Sequence, residues 1–164
     1  MRRPLRSGDV IVADANVFND FLSPLVDRRD PGPSLELLAA VSTCCARFGC
    51  TNPLLNQYRS SEPQARPLFP GSIQSIPGLR DKGKLFVKGV SAATCDAQDK
   101  HYLQLPKEDR FLLDVAAAVG AIFIVTTDLG IPLGERIVPL RKGGRLEVDI
   151  VTPAELLGRI AVRP

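Results

Sequence analysis

The stretch Leu105-Pro-Lys-Glu-Asp-Arg-Phe-Leu-Leu-Asp-Val-Ala-Ala-Ala-Val-Gly-Ala-Ile-Phe-Ile-Val-Thr-Thr-Asp128 decides the fold. Leu112, Val115, Ala116 and Val119 recur at i, i+3, i+4 and i+7, the spacing of one apolar helix face. Pro106, Lys107 and Glu108 mark the start of that helix, and Gly120 stands where a C′ glycine ends one. Ala121 to Val125 is a near-continuous apolar run, which predicts a strand covered on both faces. Asp128 follows just past it. In open parallel sheets ligands bind at the carboxyl ends of strands, so an acid at this position is placed for chemistry.

A second stretch has the same form. Asp9-Val-Ile-Val-Ala-Asp14 is a short apolar run ending in an acid, and a helical pattern with Val17, Phe18 and Phe21 begins after it. If the two strands are parallel neighbours, Asp14 and Asp128 emerge on one edge, and Asp109, at the mouth of the predicted helix, is placed to join them. Like charges repel when they converge, so a cluster of carboxylates implies a counter-cation. Hard oxygen donors select Mg²⁺ or Mn²⁺. Asp114 is five residues beyond Asp109, about 140° further around a helix, and shares a site with it only if Asp109 sits at the frayed first turn.

The rest of the chain is consistent with one domain. Its 164 residues suffice for a core, and a 45% apolar, 24% charged composition excludes a disordered chain. Cys44, Cys45, Cys50 and Cys95 form no C-x-x-C pair, and with His101 as the single histidine they predict reduced packing thiols rather than a zinc site. No apolar run is long enough to span a membrane, and the N-terminus lacks the apolar segment of a signal peptide, so a cytoplasmic location is expected. A net charge of +3 permits a polyanionic partner without requiring one. There is no phosphate-binding G-x-x-x-x-G-K-[ST] loop and no G-x-G-x-x-G, which counts against a nucleotide-binding domain.

In chain order, residues 1–8 read as a mobile basic arm and 9–14 as the first strand. A helix from Asn16 to about Leu25 follows, then a Pro/Gly-rich loop. Ser34 is the expected N-cap of a helix that stops near Gly49. Cys50-Thr51 reads as a brief strand, and Pro53 suits the first turn of a helix over Leu54–Ser60. Residues 61–106 are broken by prolines. A short helix around Gly71–Lys84 and an extended Leu85–Lys88 fit there, with too few apolar residues for a separate core. Arg136–Pro139 and Leu146–Val151 read as strands. Thr152-Pro-Ala-Glu155 is a capping box with proline at N1. Strands alternating with helices predict an α/β domain of three layers, helix–sheet–helix, with a central, mostly parallel sheet.

Taken in order, several of these segments resemble the PIN domain family of metal-dependent nucleases. They are Val10-Ile-Val-Ala-Asp14-Ala-Asn16-Val, Thr51-Asn-Pro-Leu-Leu-Asn-Gln57-Tyr58-Arg59, Lys107-Glu-Asp109-Arg-Phe-Leu-Leu-Asp114-Val-Ala, Ile124-Val-Thr126-Thr-Asp128 and Ile150-Val-Thr-Pro-Ala-Glu-Leu-Leu157. The resemblance covers most of the chain except 61–104. It implies a parallel sheet with helices on both faces, with one or two Mg²⁺ or Mn²⁺ ions held by Asp14, Asp109, Asp128 and Asp114. The implied activity is endoribonuclease hydrolysis of RNA phosphodiester bonds. Many members of the family are toxins, so an antitoxin protein and a homodimer are implied as partners. Gln57 stands where the family usually has Glu, and Gly130 where many members have another acid. These two departures keep a second reading open, a catalytically inactive module that binds RNA or protein.

Each position also has a plainer role. Asp14 is either a metal ligand or the cap of the following helix, and Asp128 either a ligand or a turn-forming residue near Gly130. Asp109 at a helix start is favoured by the dipole whatever its function. Asn16, Gln57 and Thr126 are polar neighbours of the acids. Asn16 is suited to bonding a carboxylate or a metal-bound water, and Thr126 to orienting Asp128 or ending the strand. The clusters Arg2/Arg3/Arg6, Arg28/Arg29, Lys82/Lys84/Lys88 and Arg141/Lys142/Arg145 read as solvated faces, some of them able to steer phosphates.

Overall fold

Val10–Ala13 form strand β1, in which Ile11, Val12 and Ala13 are fully buried. A strand buried this way needs a neighbour along each edge and cover on each face. The computed structural model supplies both; it describes residues 4–22, 32–44, 46–61, 76–89, 107–127, 137–141 and 145–160. The strands are β1, β2 (Arg47–Thr51), β3 (Leu85–Lys88), β4 (Phe123–Val125), β5 (Ile137–Arg141) and β6 (Arg145–Val151). They form one sheet in the order β3-β2-β1-β4-β6-β5. Every pairing is parallel except the β5–β6 hairpin.

The helices are α1 (Ala15–Leu22), α2 (Gly32–Thr43), α3 (Asn52–Ser61), α4 (Ile76–Asp81), α5 (Lys107–Val119) and α6 (Pro153–Ile160). The chain steps outward from β1 to β2 to β3, then returns across β1 to β4. Right-handed crossovers put helices of the outward path on one face and α5 on the other. The contacts agree: α1 packs on α2 and α3, α2 on α6, and α5 lies across β2, β1 and β4. The α/β fold with helices flanking a mostly parallel sheet is therefore the one the alternation of elements predicts.

Several local expectations hold in detail. Gly120 has φ +70 and follows α5, and the Ala121 N–H returns to the Ala116 carbonyl at 2.9 Å, the outer bond of a Schellman ending. Thr152 and Glu155 form the reciprocal capping box, at 3.0 Å and 3.2 Å. Of the described pieces of 61–106, β3 joins the common sheet and α4 packs on β3, so neither belongs to a separate unit.

Three expectations are corrected. The segment read as an arm over 1–8 is packed from Leu5 onward: Leu5 lies in the core, and Arg6 and Asp9 close a turn through Gly8 at φ +83. Ser34 is not the cap of α2 but a buried residue in its first turn; Gly32, at φ +70, turns the chain into the helix ahead of Pro33. Finally, α2 ends at Thr43, not near Gly49, and β2 begins at Arg47. Just past the helix end, the Lys84 ammonium donates to the carbonyls of Cys44 and Ala46 and ties the link between α2 and β2 to the turn before β3. Gly49 is instead a packing position: a Cβ there would stand 2.9 Å from both Phe86 Cζ and Val10 Cγ1.

Candidate functional site at the carboxyl ends of the strands

The switch in direction between β2 and β4, on either side of β1, opens the sheet at the carboxyl end of β1, the place where open α/β sheets bind ligands. Ala13 pairs with Val125, Val125 with Val151, Ile11 with Phe48, and Thr51 with Lys88. Continuing these registers, by one step from Ala13, Val125 and Val151 and by three from Ile11 and Phe48, brings Lys88, Thr51, Asp14, Thr126 and Thr152 into one row across the edge. The row therefore carries one acid, three hydroxyls and one ammonium.

Asp14 is the centre of that row. Its N–H donates to the Val125 carbonyl at 2.9 Å and its carbonyl accepts from Phe18 at 3.0 Å, so it links β1 to β4 and occupies the N-cap position of α1. The plainer reading of Asp14, a residue at the head of α1, thus holds. Its carboxylate is half-buried, and the buried Thr126 hydroxyl donates to its Oδ2 at 3.0 Å. The sequence points Thr126 toward Asp128, two residues along; the side chain it holds is Asp14, 112 positions away. No Lys or Arg among the described residues pairs with this carboxylate.

Beneath it lies Tyr58, whose part in the site the sequence did not reveal. Its hydroxyl donates to the Ala13 carbonyl, and its ring stacks on Phe18 with centroids 3.9 Å apart and planes 8° from parallel. Phe48 meets Phe18 edge-on at 6.3 Å. The last peptide of β1 is thereby fixed from α3, and the residue held next to it is Asp14. Burial first, then the neighbouring charges of Cys50 and Asp14, hold the Tyr58 hydroxyl well above its ordinary range. The available signal was the pairing of Leu54 and Tyr58 at i, i+4 on one face of α3.

The other predicted residues fall as follows. Asp109 lies in the first turn of α5. Because α5 ends just before β4 begins, it runs antiparallel to the strands, and its first turn lies toward the carboxyl edge. Leu113 and Ala116, both fully buried, lie on the inner stripe of that helix. Asp114 is half-buried on a different flank, about 200° around the helix from Ala116. Asn16 is exposed in the first turn of α1, and Gln57 is exposed on α3 beside Tyr58. Asp128 and Gly130 lie outside the described residues, as do His101 and the side chain of Asp109. Among the described residues no three His, Cys, Asp or Glu side chains gather, a set that does not include the two acids expected beside Asp14. Also among the described residues, no helix is long and apolar enough to cross a membrane.

No family model and no curated protein matches the sequence, and no solved structure matches the fold.

Proposed function

We propose that the chain is a PIN-type, metal-dependent endoribonuclease that hydrolyses RNA phosphodiester bonds at the carboxyl edge of β1 and β4. The observation that carries this reading is the Asp14 carboxylate at the topological switch point, held by a hydroxyl from the end of β4. The donor chemistry fits a hard divalent ion. Asp14 is half-buried with no described cation beside it, and the strand it is tied to leads directly to Asp128.

Asp14, Asp109 and Asp128 would hold Mg²⁺ or Mn²⁺. Asp114, half-buried on α5, is a further candidate ligand. The ion, when bound, supplies a water of lowered pKa and neutralises charge on the phosphate. The chain's own residues do the positioning: Thr126 fixes one oxygen of Asp14, and Tyr58 fixes the peptide before it. Asn16, exposed in the first turn of α1, is placed to bond a water or phosphate oxygen from solvent. A cytoplasmic toxin held in check by an antitoxin fits this reading, as does a homodimer.

Labelled RNA incubated with Mn²⁺ tests the proposal. Wild-type protein is expected to cleave it and Asp14→Asn to slow by at least about 100-fold in rate, about 2.7 kcal/mol in barrier. Equal cleavage by both proteins overturns the assignment. Gln57, exposed where the resemblance expects a carboxylate, favours the second reading, a catalytically silent RNA- or protein-binding module. Mn²⁺ separates the two. A loaded acidic site raises Tm with metal concentration by mass action, and a silent module shows no such rise.

A further inference from the structure

Charge is unevenly divided along the chain. Residues 46–89 carry seven of the 21 Lys and Arg but only two of the 18 Asp and Glu, leaving an acidic excess, 14 against 16, in the remainder. The described part of this basic segment is β2, α3, α4 and β3, one end of the sheet, with β3 as its edge strand. Arg47, Arg59, Arg80, Lys82 and Lys88 are exposed there, and Asp81 is the acid among those described residues. Lys84 is excluded, because its ammonium is bonded to the carbonyls of Cys44 and Ala46.

These cations come from different elements onto one strand pair. The Arg47 guanidinium lies 4.4 Å from the centroid of the Phe86 ring, which holds it against the β3 edge. The charges of Arg80 on α4 and Arg59 on α3 both reach the buried Cys50 thiol in β2. Lys88 stands in the same row as Asp14, two strands away, about 10 Å at ordinary strand spacing. Lys88 therefore adjoins the acid that the nuclease reading makes the reaction centre, and Arg80 and Lys82, just before β3 begins, lie farther back along the same flank of the sheet.

We infer that this end of the sheet, through Arg59, Arg80, Lys82 and Lys88, is the surface along which the phosphodiester backbone of single-stranded RNA reaches Asp14. The inference rests on the nuclease reading. Exposed like charges repel one another unless a partner neutralises them, and a polyanion meets that need at several points at once. Contacts of this kind fix the strand's position without reading its sequence, so the surface sets where the backbone lies and not which base is cut.

The test uses the Asp14→Asn full chain, which binds without cutting, and fluorescein-labelled single-stranded RNA read by anisotropy over a salt series. One variant adds Arg59→Gln, Arg80→Gln, Lys82→Gln and Lys88→Gln. A charge-matched control adds Arg6→Gln, Arg141→Gln, Lys142→Gln and Arg145→Gln instead, with Arg141 and Arg145 in the strand pair at the opposite end of the sheet. Urea midpoints verify that all remain folded. Each phosphate no longer neutralised by a cation reduces the slope of log K against log salt by about 0.7, so the edge variant is expected to lose about 2–3 units of slope and the control less than about 1. Equal reductions in both, or an unchanged slope in the edge variant, overturn the surface while leaving the nuclease reading intact. No RNA binding by the parent, together with no cleavage by wild type, overturns both. Displacement of the RNA by polyglutamate more readily than by polyuridylate of equal charge also overturns the inference, since the occupant is then an acidic polypeptide.

Discussion

Asp14 performs two tasks that compete in most proteins. As the N-cap of α1 it has a structural reason to be an oxygen-bearing residue, yet its carboxylate is directed to Thr126 on another strand's end. Replacing Thr126 by Val removes that hydroxyl at nearly constant volume. The carboxylate then loses its anchor, and stability falls by about 1.5–3 kcal/mol, the usual worth of a hydrogen bond to a charged group. Thr126→Ser restores most of it; urea unfolding of the three proteins checks this, and on the proposed reading Mn²⁺ affinity follows the same order. The buried acids nearby set a pH limit. Burial raises the Cys50 thiol from its ordinary 9.0 to about 11, against the opposing charges of Arg80 and Arg59, and Tyr58 is raised well above its own ordinary value. Between those limits the unfolded chain has released protons that the folded chain still holds, so stability falls as pH rises. Below the ordinary thiol value neither group contributes a slope. Urea midpoints should therefore be level up to about pH 8 and decline beyond about pH 9, and Cys50→Val should remove the first part of the decline while leaving the later part due to Tyr58.

At the level of the element, the strands are short and depend on close packing. Strand β2 passes its neighbours through Gly49, where Val10 and the Phe86 ring occupy the space of a side chain. Gly49→Ala forces both to move. Val10 belongs to the central strand and is buried, so the expected cost is about 1–3 kcal/mol, the range of core overpacking. Shortening the ring with Phe86→Leu in the Gly49→Ala background should recover part of it, measured as a shift in urea midpoint. The ends of the helices, by contrast, are governed locally. Gly120 and the Thr152–Glu155 box stop and start α5 and α6 with residues at the ends of those helices. The end of α2 is the exception. The link that follows Thr43 is held by Lys84, about forty residues later, through the Cys44 carbonyl.

Across the whole molecule, the sheet carries the candidate site at the carboxyl edge and an anchoring ion pair on β6. Arg159, in the last turn of α6, reaches back to Asp149 at 2.6 Å and lies 5.2 Å from the Phe123 ring centroid. Arg159 is 8% exposed, and its Nε has no hydrogen-bond partner. Removing Asp149 leaves that guanidinium buried and uncompensated, so Asp149→Ala should cost about 3–5 kcal/mol. Because the pair is buried, its contribution should persist at high salt, which unfolding in about 1 M NaCl checks. The order of elements, the alternation that makes the sheet parallel and the acid at the end of β1 were all determined by the sequence itself. Periodicity, caps and turn residues act over a few positions, and such signals can be read along the chain. The tertiary structure alone decided that Thr126 holds Asp14, that Tyr58 fixes Ala13, that Leu5 joins the core and that Gly49 is a contact rather than a stop. Each of these follows from strand register and crossover geometry, which bring together residues far apart in sequence and leave no local pattern in either partner.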